Sequence, residues 1–430
     1  MVVPKRHRTR SARKSIYDPV HGLISLDAPM LELIAHPAFQ RLWGIRQTGF
    51  AHLVFPGANH TRLEHSLGVA WVAREMALRL ALSPAAVTTV AVAGLLHDLG
   101  HAPFSHTLDG PMREMEGRDH ESVARSLILG LEAVPPSTAP ARASIDSLPE
   151  ILERHEIKPQ DVGQLVDQTL GRSTGSVGSA ILHGPVDADR IDYLQRDAHY
   201  TGVAHGAVDA VRLLDTVSAR TGRLVFAEKG RSAVEGFLVG RSLMYSSVYY
   251  HKTVRSAEVM AQAAVERLPG YPESARPLLR QRDGDVLATL ERAEGISRDL
   301  GTGLLDRRLY KRARAWRVLS ERDRKGWLRL DHDPSARRQL EDEVAHRLHA
   351  PAGSVLFDLA GLDTRTQPGD DWSQVGVLEG RTLSYPFGRS SVWSSFTNRP
   401  RSNWSVTAYV HPRYRASATR WLDRDASILP

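Results

Sequence analysis

The 430-residue sequence contains no cysteine. Disulfides, zinc knuckles and thiol nucleophiles are therefore excluded, and any bound metal must be held by His, Asp or Glu. No run approaches the roughly 18 apolar residues that a membrane span requires. The basic start, Met1 to Arg10, lacks the apolar centre of a secretory signal. A cytoplasmic protein without a membrane partner is the expectation. No internal repeat is detected either.

What is present is ordinary for a globular chain, with 42% apolar and 24% charged residues. The length exceeds what one compact core usually holds, so a large domain plus a smaller unit is expected. A formal net charge of +7 favours anionic partners such as nucleotides, although solvated arginine explains it equally well. Residues 1–14 read as a mobile basic tail. Tyr17-Asp-Pro-Val-His-Gly22 and the alternation through Ile24 and Leu26 suggest a small hairpin. Helical spacing follows from Ala28 with a break near Pro37, then from Thr61 to Leu82 and from Val87 to Leu96. Residues 133–148 read as a loop and 171–178 as a Gly/Ser loop. Helical runs resume at 208–217 and 233–268, and the charged span 276–350 also reads as helical. Strand-like runs appear at Gly353–Asp363 and Ser402–His411. The reading is thus mainly α, with a smaller α+β C-terminal region. Trp393, Phe396 and Trp404 near Arg399 and Arg401 offer a stacking surface for nucleic acid, with packing the commoner use of such residues.

The stretch Leu95-Leu-His-Asp-Leu-Gly-His-Ala-Pro-Phe-Ser-His106 concentrates metal-capable and proton-carrying groups. Adjacent His97 and Asp98 suit a borderline divalent cation. His65, three residues from Arg62 and so on its helix face, is a candidate third ligand, though a lone histidine there is usually a core residue. The segment Asp187-Ala-Asp-Arg-Ile-Asp-Tyr-Leu-Gln-Arg-Asp197 places Asp189, Tyr193 and Asp197 on one helical face, flanked by Arg190 and Arg196. Alone, it reads as a solvated, salt-bridged helix.

In combination these segments resemble the HD-domain metal-dependent phosphohydrolases, and within them the deoxynucleoside triphosphate triphosphohydrolase branch. The resemblance is carried by Tyr17–Gly22, Phe39-Gln-Arg-Leu42, Phe55-Pro-Gly57, Arg62-Leu-Glu-His-Ser-Leu-Gly-Val69, His97–His106, Asp189–Asp197 and Tyr249-Tyr-His-Lys252, in that order. It runs to about Leu268 and more weakly to Lys311. No SAM-like segment, which the vertebrate member of this branch carries, is read ahead of the core.

The resemblance implies an HD-domain helical core over 15–270, after the tail at 1–14. An α+β region at 271–430 would then make oligomer or regulatory contacts. It implies a metal held by His65, His97, Asp98 and Asp189. Iron, manganese or zinc is expected, with Mg2+ on the substrate phosphates. Arg62, Arg190 and Arg241 match phosphate-contacting positions, although lysine is common in the family where Arg190 stands. His101, His106, Asp109 and His120 match a cluster facing the α-phosphate, with His106 as proton donor oriented by Asp109. Gln47 and Asp197 match residues that hold the sugar 3′-hydroxyl, and Tyr193 and Tyr249 match residues that line the sugar and exclude ribose. The implied reaction is attack of metal hydroxide on the α-phosphorus of a dNTP, giving deoxynucleoside and triphosphate.

The acid, glutamine and arginine that read an activating guanine in vertebrate relatives fall here on Ala35, Gln40 and Trp43. Arg307 and Lys311 keep a basic phosphate grip. An activator nucleotide, if one is used, is therefore expected to be read without guanine selectivity; the family resemblance implies a homo-oligomer. Two alternatives stand beside this reading. One is an HD phosphohydrolase acting on nucleoside monophosphates, modified nucleotides or nucleic-acid ends. The other is a nucleic-acid-binding or scaffolding protein with an inactive HD core.

Overall fold

The computed structural model describes residues 14–132, 146–317, 321–360, 372–388 and 405–424. The basic tail up to residue 13, most of the expected 133–148 loop and the Trp393, Phe396, Arg399, Arg401 and Trp404 cluster lie outside the described residues.

The chain opens with the expected hairpin, β1 (Lys14–Asp18) pairing antiparallel with β2 (Gly22–Leu26). Asp18 Oδ1 accepts from the Val20 and His21 amides and so fixes the turn. Asp27 then caps a helix over Ala28–Ala35, which ends before Pro37 because the residue preceding proline avoids helical backbone. Two long helices form the centre of the fold. Arg62–Arg79 starts at a reciprocal cap, in which Glu64 Oε2 accepts from both the amide and the hydroxyl of Thr61 at 2.6 and 2.9 Å. Pro84–Leu96 is capped by Ser83 and starts at proline, whose missing amide hydrogen costs nothing in the first turn. Its apolar residues point in every direction and are buried from Val90 to Leu96. The two helices pack closely, since a Cβ on Gly94 would lie 3.3 Å from the Ala70 Cα. A third helix, Ala188–Thr201, starts at Asp187, whose carboxylate accepts from the Arg190 amide, and crosses the first.

Three stretches differ from the sequence reading. The expected loop at 171–178 is largely helical, because Asp167 and Ser176 each cap a helix and only Gly175, at φ +59°, breaks the path. Between the helical runs lies an unread hairpin, β3 (Val217–Arg220) and β4 (Arg223–Ala227), turned by Thr221 and Gly222, both at positive φ. β4 pairs in parallel with β7 (Gly376–Glu379), which continues to β8 (Thr382–Ser384). In the charged span expected to be helical, Lys311–Arg317 is instead strand β5. It pairs with β9 (Ser405–Val410), which pairs in turn with β6 (Val355–Asp358). Tertiary pairing overrides local preference here. Lys311, Arg312 and Arg314 face water, while Trp316 packs against Trp327 and Phe357. The strand-like runs at 353–363 and 402–411 correspond to β6 and β9.

One large apolar core runs from Ile24 through the central helices to Leu309, Val375 and Phe387. A second, smaller core gathers Trp327, Val344, Phe357, Val406 and Leu422. The two meet along the helix Lys252–Glu266 through buried ion pairs. Arg337 reaches both oxygens of Glu266 at 2.5 and 2.7 Å, and Arg255 grips Asp358 with two bonds of 3.1 and 2.7 Å. Removing one partner of such a pair strands a buried charge. Arg337→Met is expected to destabilise the protein by about 3–5 kcal/mol in urea unfolding. Glu266→Gln placed in the same chain should recover part of that loss. A midpoint unchanged in the single variant would show that the pair holds nothing.

Candidate metal and phosphate site

Three helices bring the metal-capable residues together. His65 sits in the first turns of Arg62–Arg79, His97 and Asp98 leave the end of Pro84–Leu96, and Asp189 lies in the first turn of Ala188–Thr201. His97 Nε2 is 3.1 Å from Asp98 Oδ1. Asp189 Oδ1 lies 3.0 Å from His65 Nε2 and 3.9 Å from His97 Nε2. Each imidazole is held by its other nitrogen, His97 Nδ1 on the Gly94 carbonyl at 2.8 Å and His65 Nδ1 on Asp192 Oδ2 at 2.7 Å. This is the tautomer control that metal-binding histidines need. The two Nε2 atoms are buried and have no hydrogen-bond partner. Ligand atoms of His65, His97 and Asp98 fall within 4.8 Å of one another. Buried imidazole nitrogens facing carboxylates fit a divalent transition metal taking the place of a proton.

The electrostatics favour positive charge at this point. Burial opposes ionisation of Asp98, but Arg62, His97 and His101 outweigh it and hold the carboxyl well below its usual range. Burial likewise opposes charge on His65, yet Asp189, Asp192 and Asp98 together raise it to about 10.

Asp192 is the support the sequence reading missed. Its Oδ1 meets His21 Nε2 at 2.6 Å, and Arg196 grips both its oxygens at 2.9 and 2.8 Å while reaching Asp18 Oδ2 at 2.8 Å. The hairpin turn at 17–22 thus braces His65 through two further side chains. Gly68 makes room for this: a Cβ there would lie 1.8 Å from Asp192 Oδ1.

A second cluster, His101, His106, Asp109 and His120, also lies within 4.8 Å of itself. His101 stacks on His120 at 3.8 Å and bridges to the first cluster, with Nε2 3.3 Å from Asp98 Oδ1. Burial pulls His120 down to about 4 and His101 well below its normal range, so both are neutral. His106 is two-thirds exposed, with Nδ1 3.0 Å from Asp109 Oδ2. A Cβ on Gly100 would meet the His120 carbonyl at 1.9 Å, so only glycine lets the two segments touch. The connecting loop turns through Phe104 and Ser105 at φ +59° and +57°. Such backbone persists only where surroundings enforce it. Here Asp283 accepts from the Phe104 and Arg46 amides at 2.7 and 3.0 Å, and Arg41 caps the Leu99 and His101 carbonyls at 2.9 and 2.6 Å.

Arg62 binds Asp98 at 2.6 Å and Ser105 Oγ at 2.8 Å. Arg190 contacts Asp187 and the Gly184 carbonyl, and Arg241 Nε donates to Tyr193 Oη at 3.0 Å beneath the Tyr245 ring. These groups surround two adjoining cavities. The smaller, about 160 Å³, is lined by His97, Asp98, His101, His120, Asp189, Arg190 and Arg241. The larger, about 340 Å³, is lined by Asp109, Asp197 and Tyr249. Gln47, Arg62, His106, Tyr193 and Tyr245 line both. Tyr249 donates to Asp197, whose other oxygen meets His60 Nε2 at 2.8 Å. Every residue expected to hold the metal, the phosphates or the sugar, except His65, lines one of the cavities, and His65 is fully buried among the metal-capable groups. Tyr245 was missed; it stands where the chain makes one wide turn, Tyr250 N to Tyr245 O at 2.8 Å, inside a run read as continuous helix. In the expected activator stretch, Gln40 Nε2 donates to the Ile34 carbonyl, Arg307 donates to the Leu53 carbonyl and Trp43 is exposed.

Residues 62–197 match the HD domain, and residues 208–424 match the HD associated region. The chain belongs to the HD-domain phosphohydrolases. The second match reaches well past Lys311, where the motif resemblance ends. Among curated relatives, a protein of Methanocaldococcus jannaschii is 39% identical over 256 residues, 59% of this chain and 49% of that one. The deoxynucleoside triphosphate triphosphohydrolase SAMHD1 of Homo sapiens is 36% identical over 221 residues, 44% of this chain and 34% of the relative. The chain thus spans about half or less of the length of these relatives. A hypothetical protein from Aquifex aeolicus shares the fold with a TM-score of 0.71 and 27% identity, over 96% of this chain and all of that one. Among the described residues, no helix of this HD protein is long and apolar enough to cross a membrane.

Glu121, on the wall of the smaller cavity, accepts from the Gln168 amide at 2.8 Å, and burial raises its pKa to about 7. A carboxyl raised in the native state binds its proton more tightly there than in the unfolded chain. Stability therefore falls as pH rises from about 4.5 to 7, and the penalty is complete above 7. Glu121→Gln keeps an acceptor for Gln168 without that penalty. At pH 8 it should gain about 2 kcal/mol over the wild type relative to their difference at pH 4.5. Parallel stability curves for the two proteins would refute this.

Proposed function

We propose that this HD phosphohydrolase cleaves deoxynucleoside triphosphates to deoxynucleoside and triphosphate. One observation carries the reading: a metal-capable, arginine-rich cavity opens through Gln47, Arg62, His106, Tyr193 and Tyr245 into a larger one suited to a nucleoside. The similarity to proteins named deoxynucleoside triphosphate triphosphohydrolase supports it. A divalent ion bound by His65, His97, Asp98 and Asp189 would supply Lewis acidity and an activated water at neutral pH. Iron, manganese or zinc suits that donor set, with Mg2+ accompanying the phosphates.

The protein's own groups divide the remaining work. Arg62, Arg190 and Arg241 receive phosphoryl oxygens, where a buried guanidinium offsets charge that grows in the transition state. His106, oriented by Asp109, gives a proton to the departing 5′-oxygen, while neutral His101 and His120 hydrogen-bond to the α-phosphate. Gln47 and Asp197 hold the 3′-hydroxyl. Tyr249, tied to Asp197, packs with Tyr193 at a centroid distance of 6.3 Å; the two rings line the sugar in this reading and disfavour a ribose 2′-hydroxyl.

Protein loaded with manganese or iron should release tripolyphosphate from dNTPs and leave ribonucleotides intact; orthophosphate or pyrophosphate as product would reject this chemistry. His97→Ala and Asp98→Ala should each lose bound metal by elemental analysis and lose turnover. With alanine at position 35 and tryptophan at 43, a single dNTP should suffice for full activity. A strict GTP requirement would contradict the absence of guanine selection.

A further inference from the structure

The larger cavity contains polar groups that the proposed mechanism does not use. Thr48 Oγ1 and Thr107 Oγ1 both line it, both are shielded from solvent, and neither has a hydrogen-bond partner. Thr107 as a whole is only 8% exposed. A buried hydroxyl without a partner is costly unless something else satisfies it, so two of them on one cavity wall point to a ligand with polar edges. Neither residue lines the smaller cavity, which places them away from the metal-capable groups.

The loop that carries Thr48 is pressed against this wall. Gly49 adopts φ +52°, and a Cβ there would lie 3.1 Å from the Phe104 carbonyl, 3.6 Å from Thr107 Oγ1 and 3.7 Å from Glu258 Oε1. The loop after Gln47, the turn after Phe104 and the helix Lys252–Glu266 therefore converge at one point. Glu258 is steadied there by Arg255, which also grips Asp358.

If the α-phosphate lies in the smaller cavity and the sugar at the shared border, the nucleobase occupies the larger cavity, beside these hydroxyls. We propose that Thr107 and Thr48 read the polar edge of the nucleobase and act as specificity-determining residues for the dNTP, an inference that rests on the substrate reading above. A threonine hydroxyl offers one donor and two acceptor positions, so whether it bonds to a base depends on where that base places an amino or carbonyl group along this wall. Glu258 Oε1 beside it adds an acceptor for an exocyclic amino group.

The test is kcat/KM for each of the four dNTPs in the wild type, Thr107→Val, Thr48→Val and the two Thr→Ser variants, with metal content and Tm measured alongside. Valine keeps the branched shape and removes the hydroxyl. Each valine variant should lose about tenfold in kcat/KM, mostly through KM and unequally among the four bases, because a missing hydrogen bond penalises only bases that present its partner. The serine variants should retain wild-type ranking. An equal loss for all four bases, or no loss, would overturn the assignment. Should Thr107→Val fail to fold, Thr48→Val on its partly exposed loop answers the same question. A wild type that releases no tripolyphosphate from any dNTP would instead remove the substrate reading itself, so the two failures are told apart.

Discussion

The site depends on the buried pair between Asp192 and Arg196. Both side chains are essentially inaccessible, and the guanidinium takes both carboxylate oxygens of Asp192 while reaching Asp18. Two buried charges are tolerable only when each is matched and fully bonded. Here the matching is also directional. Asp192 keeps an oxygen for His65 Nδ1, so that Nε2 faces the carboxylates of Asp98 and Asp189. The hairpin at the start of the chain and the helix Ala188–Thr201 are joined by this pair, which turns a distant β-turn into part of the support of a metal-capable cluster.

The loop after Asp98 is likewise held by buried charged side chains from other segments. Its strained backbone at Phe104 and Ser105 is held by Asp283, Arg41 and Arg62. In consequence His101 and His106 stand at fixed angles to the first cluster. Burial keeps His101 and His120 uncharged beside Arg62, so positive charge on this side of the cavity comes from guanidinium groups. The C-terminal region contributes as well. Phe357, Asp358 and Leu359 line the larger cavity and Arg255 ties them to the helix that bears Glu258. The associated region is thus part of the pocket wall.

Much of the site was legible because its residues fall in short, ordered segments. Three-residue spacing puts Arg62 and His65 on one face, where both reach Asp98. Four-residue spacing aligns Asp189, Tyr193 and Asp197 along the two cavities. Residues that act through contact at long sequence separation left no such signal. His21 and Asp192 are 171 positions apart, and Phe104 and Asp283 are 179. Strand β5 was misread for a related reason: its charged residues face water, and only pairing with β9, nearly a hundred residues later, makes it a strand.

The sequence by itself determined the helical core, the caps and the chemical types gathered at the site. Periodicity and local hydrogen-bonding preferences act within a few residues of one another, so they are written in the order of the chain. Only the tertiary structure decided which nitrogen of each histidine faces the carboxylates, which arginines are tied to protein partners and which hydroxyls line the cavity unpaired. Those outcomes depend on burial and on partners brought from remote segments, and burial is a property of the packed molecule rather than of any stretch of it.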